Sequence, residues 1–198
     1  MKQLFYVLTI LCTLNFVSAQ ESKFYLGLGL GVAFPGGEIS KDNDLETGLD
    51  LTLLNAGYRF SEQWGATLTW GSSGHTVEDV DDVAFGAGYL AVGPMYTLPL
   101  SDKISWDIKP QYAFSMVGVY TGDLAEETGA DDLTARGSAF IFGNSLVFGS
   151  GKGFKFSINL DYLTGKFKKV EDPMGDYDLE NDNDFSKFSL GAGVRYNF

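Results

Sequence analysis

Residues 185–198 read FSKFSLGAGVRYNF, and from Phe188 onward two faces separate without a break. Phe188, Leu190, Ala192, Val194, Tyr196 and Phe198 fall on one face, and Ser189, Gly191, Gly193, Arg195 and Asn197 on the other. A period of two is the signature of a β-strand. The apolar face carries rings and branched chains. The opposite face carries glycines, a hydroxyl, an amide and one cation, where a water-facing strand would carry Lys, Glu and Thr. That asymmetry fits a wall with lipid outside and a narrow, polar, crowded lumen inside.

Working outward, the same alternation opens the chain. Phe24, Leu26, Leu28, Leu30, Val32 and Phe34 oppose Tyr25, Gly27, Gly29, Gly31 and Ala33. The GLGLG run is not a phosphate-cradling loop, because such loops sit between a strand and a helix and here every glycine falls on one strand face. Six more alternating stretches lie between these ends, near residues 49–60, 64–70, 89–98, 104–116, 139–148 and 154–162. Their connections alternate long and short, with long segments at 38–48, 72–83, 119–133 and 166–184 and turns between. This predicts an all-β fold, an eight-stranded antiparallel up-and-down transmembrane β-barrel with all long loops at one rim. The phase of Leu49, Leu51 and Leu53 predicts a bulge near Leu54, or an extension of the strand above the bilayer. Pro94 and Pro110 on lipid faces predict local bulges, since each removes a ladder donor. Met116 is expected on the lipid face.

Composition is consistent with this reading. Of 198 residues, 44% are hydrophobic, 15% aromatic and 25 are glycine, and no run approaches the roughly 20 apolar residues of a membrane-spanning helix. Lys2, an apolar stretch from Leu4 to Leu14 and Val17-Ser18-Ala19 predict a signal peptide over residues 1–19, with the barrel over 20–198. Cys12, the one cysteine, lies inside that signal, so disulfide and thiol chemistry are not expected. Leu11 stands where a lipoprotein signal needs a small residue. A soluble eight-stranded lipocalin-type barrel is the structural rival, but it would have to turn the Phe, Trp, Tyr and Leu side chains into an interior with little room. Facing outward, Phe60, Trp64, Trp106, Phe154 and Tyr196 form one interfacial ring near the turns, and Trp70, Phe114, Phe140 and Tyr162 form another near the loops.

On the signal, the alternation, the loop asymmetry and the terminal Tyr196 and Phe198, the chain resembles the bacterial outer-membrane β-barrel family, porin-like or outer-membrane-protein-A-like. The resemblance implies residence in the outer membrane of a Gram-negative cell, with the turns in the periplasm. It also implies lipid and lipopolysaccharide neighbours, and a last strand read by the barrel assembly machinery through strand addition.

Inward-pointing Arg59, Asp107, Lys109, Lys155, Asp161 and Arg195 are expected to pair as a network that plugs the lumen, since buried charges need partners. An apolar patch of Val117, Ile141 and Leu163 leaves open a narrow channel or a binding site for small hydrophobic solutes. His75 and Ser73 can share a strand face, which raises a lipid A-modifying enzyme as a rival. No nucleophile elbow surrounds them, and their order differs from the His-before-Ser pattern that family resemblance implies for the deacylases. The expectation is a non-enzymatic membrane and surface protein with no cofactor, catalytic residue or resident metal. The net charge of −12, with most acids in the long segments, excludes a nucleic-acid partner. Asp176, Asp178, Glu180, Asp182 and Asp184 alternate, and in an extended segment they would share a face and attract Ca²⁺ or Mg²⁺ weakly; the alternative is a solvated loop. Asn181 stands where an EF-hand needs glycine.

Overall fold

The computed structural model describes residues 23–78, 83–121, 133–172 and 175–198, with the backbone alone for residues 121, 133 and 171–182. The expected signal peptide lies outside the described residues. The strands are β1 (Phe24–Gly36), β2 (Gly48–Arg59), β3 (Trp64–Thr76), β4 (Ala84–Ser101), β5 (Ile104–Thr121), β6 (Leu133–Phe148), β7 (Gly153–Asp172) and β8 (Gly175–Asn197). They form a closed barrel in chain order. Every neighbouring pair is antiparallel, and the ring is sealed by β1 on β8, from Tyr25 opposite Asn197 to Gly36 opposite Ser186. A closed ring leaves no unpaired edge, which is what a strand structure in lipid requires.

The outward faces are those of the sequence pattern. Trp64, Trp106, Phe60, Phe154 and Tyr196 stand exposed near the turns, and Trp70, Phe114, Phe140 and Tyr162 near the loops. The turn at 149–153 has Gly149, Gly151 and Gly153 all at positive φ, so its glycines serve chain reversal. On the loop side a short helix α1 (Glu38–Asp42) follows β1, and Leu45 bridges to Val77.

Bulges set which side chains enter the lumen. The register of β2 against both neighbours slips between Thr52 and Leu54, as the out-of-phase leucines predicted, and this turns Asp50 inward. A slip in β5 between Ala113 and Met116 corrects two expectations. Met116 is buried inside rather than lipid-facing, and Val117 is displaced from the inner face. The prolines do not mark bulges. Val92 opposite Tyr112 and Tyr96 opposite Ile108 share one register, so Pro94 and Pro110 face each other across a gap in the ladder. Of the segments expected as loops, 72–76 belongs to β3 and 119–121 to β5, and the described part of 166–184 is strand throughout; β7 and β8 stay paired up to Asp172 opposite Gly175. Alternation imposed by lipid contact does not extend past the bilayer, so polar strand there has the sequence character of a loop.

The interior also holds more aromatic side chains than an eight-stranded lumen was expected to admit. Glycines across the wall make room. A Cβ on Gly57 would strike the Tyr25 ring, one on Gly71 the Tyr89 ring, and one on Gly118 would lie 2.9 Å from Phe167.

Candidate functional site

The turn end of the lumen is built on Asp107, which is fully buried. Strand parity aims it inward from β5, where it accepts hydrogen bonds from Thr97 Oγ1 at 2.7 Å and Arg195 Nη1 at 2.5 Å. Arg59 Nη2 lies 3.5 Å from Asp107 Oδ1, the oxygen that also accepts from Thr97. The Arg195 guanidinium also stacks over the Tyr25 ring, 4.4 Å from its centre, a geometry that adds cation–π attraction. Lys155 is opposite Arg195 in the β7–β8 ladder.

Higher in the barrel, Lys109 Nζ donates to Ser145 Oγ at 2.7 Å, and Ser145 Oγ donates to Asn159 Oδ1 at 2.7 Å. Lys109 and Asp161 both flank Gly143 in the ladder, and the Asp161 carboxylate accepts the Asn144 backbone N–H at 3.1 Å. All six predicted luminal residues therefore line the interior, but as two groups rather than one network: Arg59, Asp107, Lys155 and Arg195 below, Lys109 and Asp161 above. Around Lys109 and Asp161 the side chains leave ≈ 30 Å³ of space open to water centres. That is room for about two waters.

Sequence reasoning missed the next pair. Lys187 on β8 forms a buried ion pair with Asp50 on β2, and its Nζ lies 5.1 Å from the centre of the Tyr89 ring. Lys187 shares the parity of Ser189 and Arg195, so the last strand carried the signal. Asp50 enters only through the β2 bulge.

Above this pair the lumen becomes apolar. Phe85 contacts Phe185 and Phe167 edge-on, at centroid distances of 5.3 and 6.3 Å, and Met116, Ile141 and Leu163 fill in below them. Ile39 of α1 and Leu45 join the cluster from the first loop. His75 packs beside Phe185 at 6.3 Å. Its Nδ1 lies 3.0 Å from the Glu46 carbonyl oxygen, an acceptor, so Nδ1 carries the proton and Nε2 accepts from Ser73 Oγ at 3.2 Å. Ser73 and His75 are thus brought together, and both are buried. Asp184 pairs with Lys166 at 3.3 Å; the side chains of the other alternating acids, Asp176, Asp178, Glu180 and Asp182, lie outside the described residues.

The closed eight-strand ring and the exposed aromatic rings agree with the sequence comparison, in which residues 4–198 match the model of the outer membrane protein beta-barrel domain. The chain belongs to that family. No curated protein matches it by sequence. Among solved structures this barrel domain is similar to neisserial surface protein A, with TM-score 0.62 and 12% identity over 88% of this chain and 97% of that one. It is also similar to the attachment invasion locus protein of Yersinia pestis, with TM-score 0.50 and 15% identity over 89% and 99% of the two chains. At such identity the likeness is one of fold. Membership in the family places the barrel in the outer membrane.

Proposed function

We propose that this domain is a non-enzymatic wall protein of the outer membrane, its lumen closed to solutes and its strands continued beyond the bilayer as a surface feature. One observation carries the reading: ion clusters at Asp107 and at Asp50–Lys187 stack beneath the Phe85, Phe167 and Phe185 rings, leaving little internal space. A pore needs a continuous wet path, and an apolar constriction over paired charges opposes one.

The Ser73–His75 pair fits a structural role in the same reading. His75 ties the first loop to β3 through Glu46, and its Nδ1 is held by a backbone carbonyl instead of a carboxylate. A nucleophile needs substrate access, and Ser73 is 4% exposed. The partners that follow are the barrel assembly machinery at Tyr196 and Phe198, and lipopolysaccharide around the loop rim, with weak divalent cations bridging acids there. Export with cleavage after Ala19 completes the proposal, and amino-terminal sequencing of the membrane-inserted protein tests it.

Planar-bilayer recording of the refolded barrel tests the closed lumen. The expected result is the absence of resolved conductance steps; stable, large, ion-conducting steps overturn the reading.

A further inference from the structure

One patch of the outer wall breaks the run of lipid-facing rings. Across β6, β7 and β8 the ladder sets Phe142, Tyr162 and Phe188 in one outward row. Two residues higher the row is Phe140, Thr164 and Ser186, and two higher again it is Ser138, Lys166 and Asp184. Each step is about 7 Å along the strands. Rings give way to hydroxyls and then to charge within one short climb at the loop-side girdle. The small side chains of Ser138, Thr164 and Ser186 leave the wall indented, and a groove of ≈ 410 Å³ runs there between the exposed Phe140 ring and the exposed Lys166 and Lys168.

Charge adds a second observation. Of the fourteen lysines and arginines in the chain, Arg136, Lys166, Lys168 and Lys169 fall on this short stretch of β6 and β7, with Arg136 opposite Lys169. Among the described residues the other loop-side cations are Lys41 on α1 and the buried Lys187. The acids of the hairpin are placed differently. Asp184 is the carboxylate that lines the groove, and it pairs with Lys166 at 3.3 Å, so the lining carries two lysines against one acid. Glu171 and Asp176 stand opposite each other farther from the girdle, beyond the pair of Lys169 and Asp178. Cations thus lie nearest the bilayer and acids beyond them, in a chain whose formal net charge is −12. Lysines at that height attract lipid phosphates.

We propose that this groove seats the phosphorylated head of an outer-leaflet glycolipid, with its phosphate at Lys168 and Lys166, its sugar against the hydroxyls of Ser138, Thr164 and Ser186, and its first acyl carbons on Phe140. A groove open to water with one net positive charge holds a free anion poorly. An anion already anchored in the leaflet is presented at the height of the lysines, and its local concentration there is high. Phe140 supplies the apolar contact that a free phosphate cannot use. The site rests on the proposed lipopolysaccharide setting of the loop rim, and it differs from cation bridging in needing no metal.

The test uses the refolded chain in maltoside micelles that carry diphosphoryl lipid A, with EDTA present and native mass spectrometry as the readout. Retention of one lipid A per barrel is expected. Lys168→Met should weaken it by about tenfold or more, the loss of one charge-assisted hydrogen bond. Ser186→Phe fills the groove without changing charge and should weaken it too, whereas Lys103→Met at the turn rim should leave it unchanged. Heat-modifiable gel mobility checks that each variant folds; if Ser186→Phe does not, Lys168→Met decides alone. Equal retention of lipid A stripped of its phosphates, displacement by millimolar inorganic phosphate, or retention that Lys168→Met leaves intact or Lys103→Met reduces equally overturns the site. Retention that EDTA abolishes also overturns it while leaving the cation-bridged rim standing, and failure to retain lipid A with or without EDTA removes the rim reading as well.

Discussion

Arg195 Nη1 lies 2.5 Å from Asp107 Oδ2, so β8 is joined through the interior to β5, a strand it does not meet in the ladder. Removing one partner of a buried pair leaves the other charge uncompensated, at a cost of about 3–5 kcal/mol. Asp107→Asn is expected to destabilise the barrel by about that amount in urea unfolding followed by heat-modifiable gel mobility. Adding Arg195→Met should restore part of the loss, since the double variant no longer buries that cation alone. Additive losses would show that the two side chains are not energetically coupled.

The apolar end is held by packing. Phe185 is nearly inaccessible and touches Phe85, Phe167 and His75. Phe185→Ala should cost about 3 kcal/mol or more of unfolding free energy through the lost contacts and the void left behind. A change below about 1 kcal/mol would mean that the rings collapse onto one another without it.

Close approach of backbones at the β1–β8 seam gives a third prediction. A Cβ on Gly191 would lie 2.7 Å from the Leu30 carbonyl oxygen and 3.1 Å from Gly31 Cα, whereas one on Gly74 meets nothing within 4 Å. Gly191→Val should sharply lower the folded fraction seen on gels, and Gly74→Ala should leave it unchanged. Equal behaviour of the two would remove the steric argument.

His75→Ala separates the latch from the enzyme. Lipid A acylation, read by mass spectrometry, should not change, while limited proteolysis within residues 38–48 should quicken as the Glu46 contact is lost. Altered acylation would instead make Ser73 a nucleophile.

At the carboxy-terminal end, the Phe198 backbone N–H donates to the Phe24 carbonyl at 3.1 Å, and its ring packs against Phe24 and Tyr196. Deleting Phe198 should reduce the amount of protein assembled in the outer membrane while export continues. Fractionation with quantitative blotting measures both.

Strand number, lipid face and most of the lumen were legible because lipid contact imposes an unbroken two-residue period, as from Phe188 to Phe198. Legibility failed where a bulge intervened or the bilayer ended. Met116 and Val117 exchanged sides at the β5 slip, and Asp50 came inward at the β2 slip. Lys187 needed only the parity of Arg195 carried up the strand. Beyond the membrane both faces are polar, so nothing in residues 166–184 distinguishes paired strand from loop, and only the register of β7 on β8 reveals it. The division of the charged residues into separate groups was not legible either, since period fixes the side on which a residue faces but not its partner across the lumen.

Sealing the ring by pairing the first strand with the last also imposes an order of events. Tyr25 meets Asn197, and Arg195 and Lys187 are carried on the strand that arrives last. Until β8 docks, Asp50 lacks Lys187 and Asp107 has Arg59 but not Arg195 beside it, and loop-closure entropy makes so distant a pairing slow. A chain inserted before β8 docks would carry the Asp50 carboxylate into the bilayer without its cation. Completion of the seam is thus the step that makes insertion electrostatically tolerable, and the barrel has reason to close and enter the membrane together.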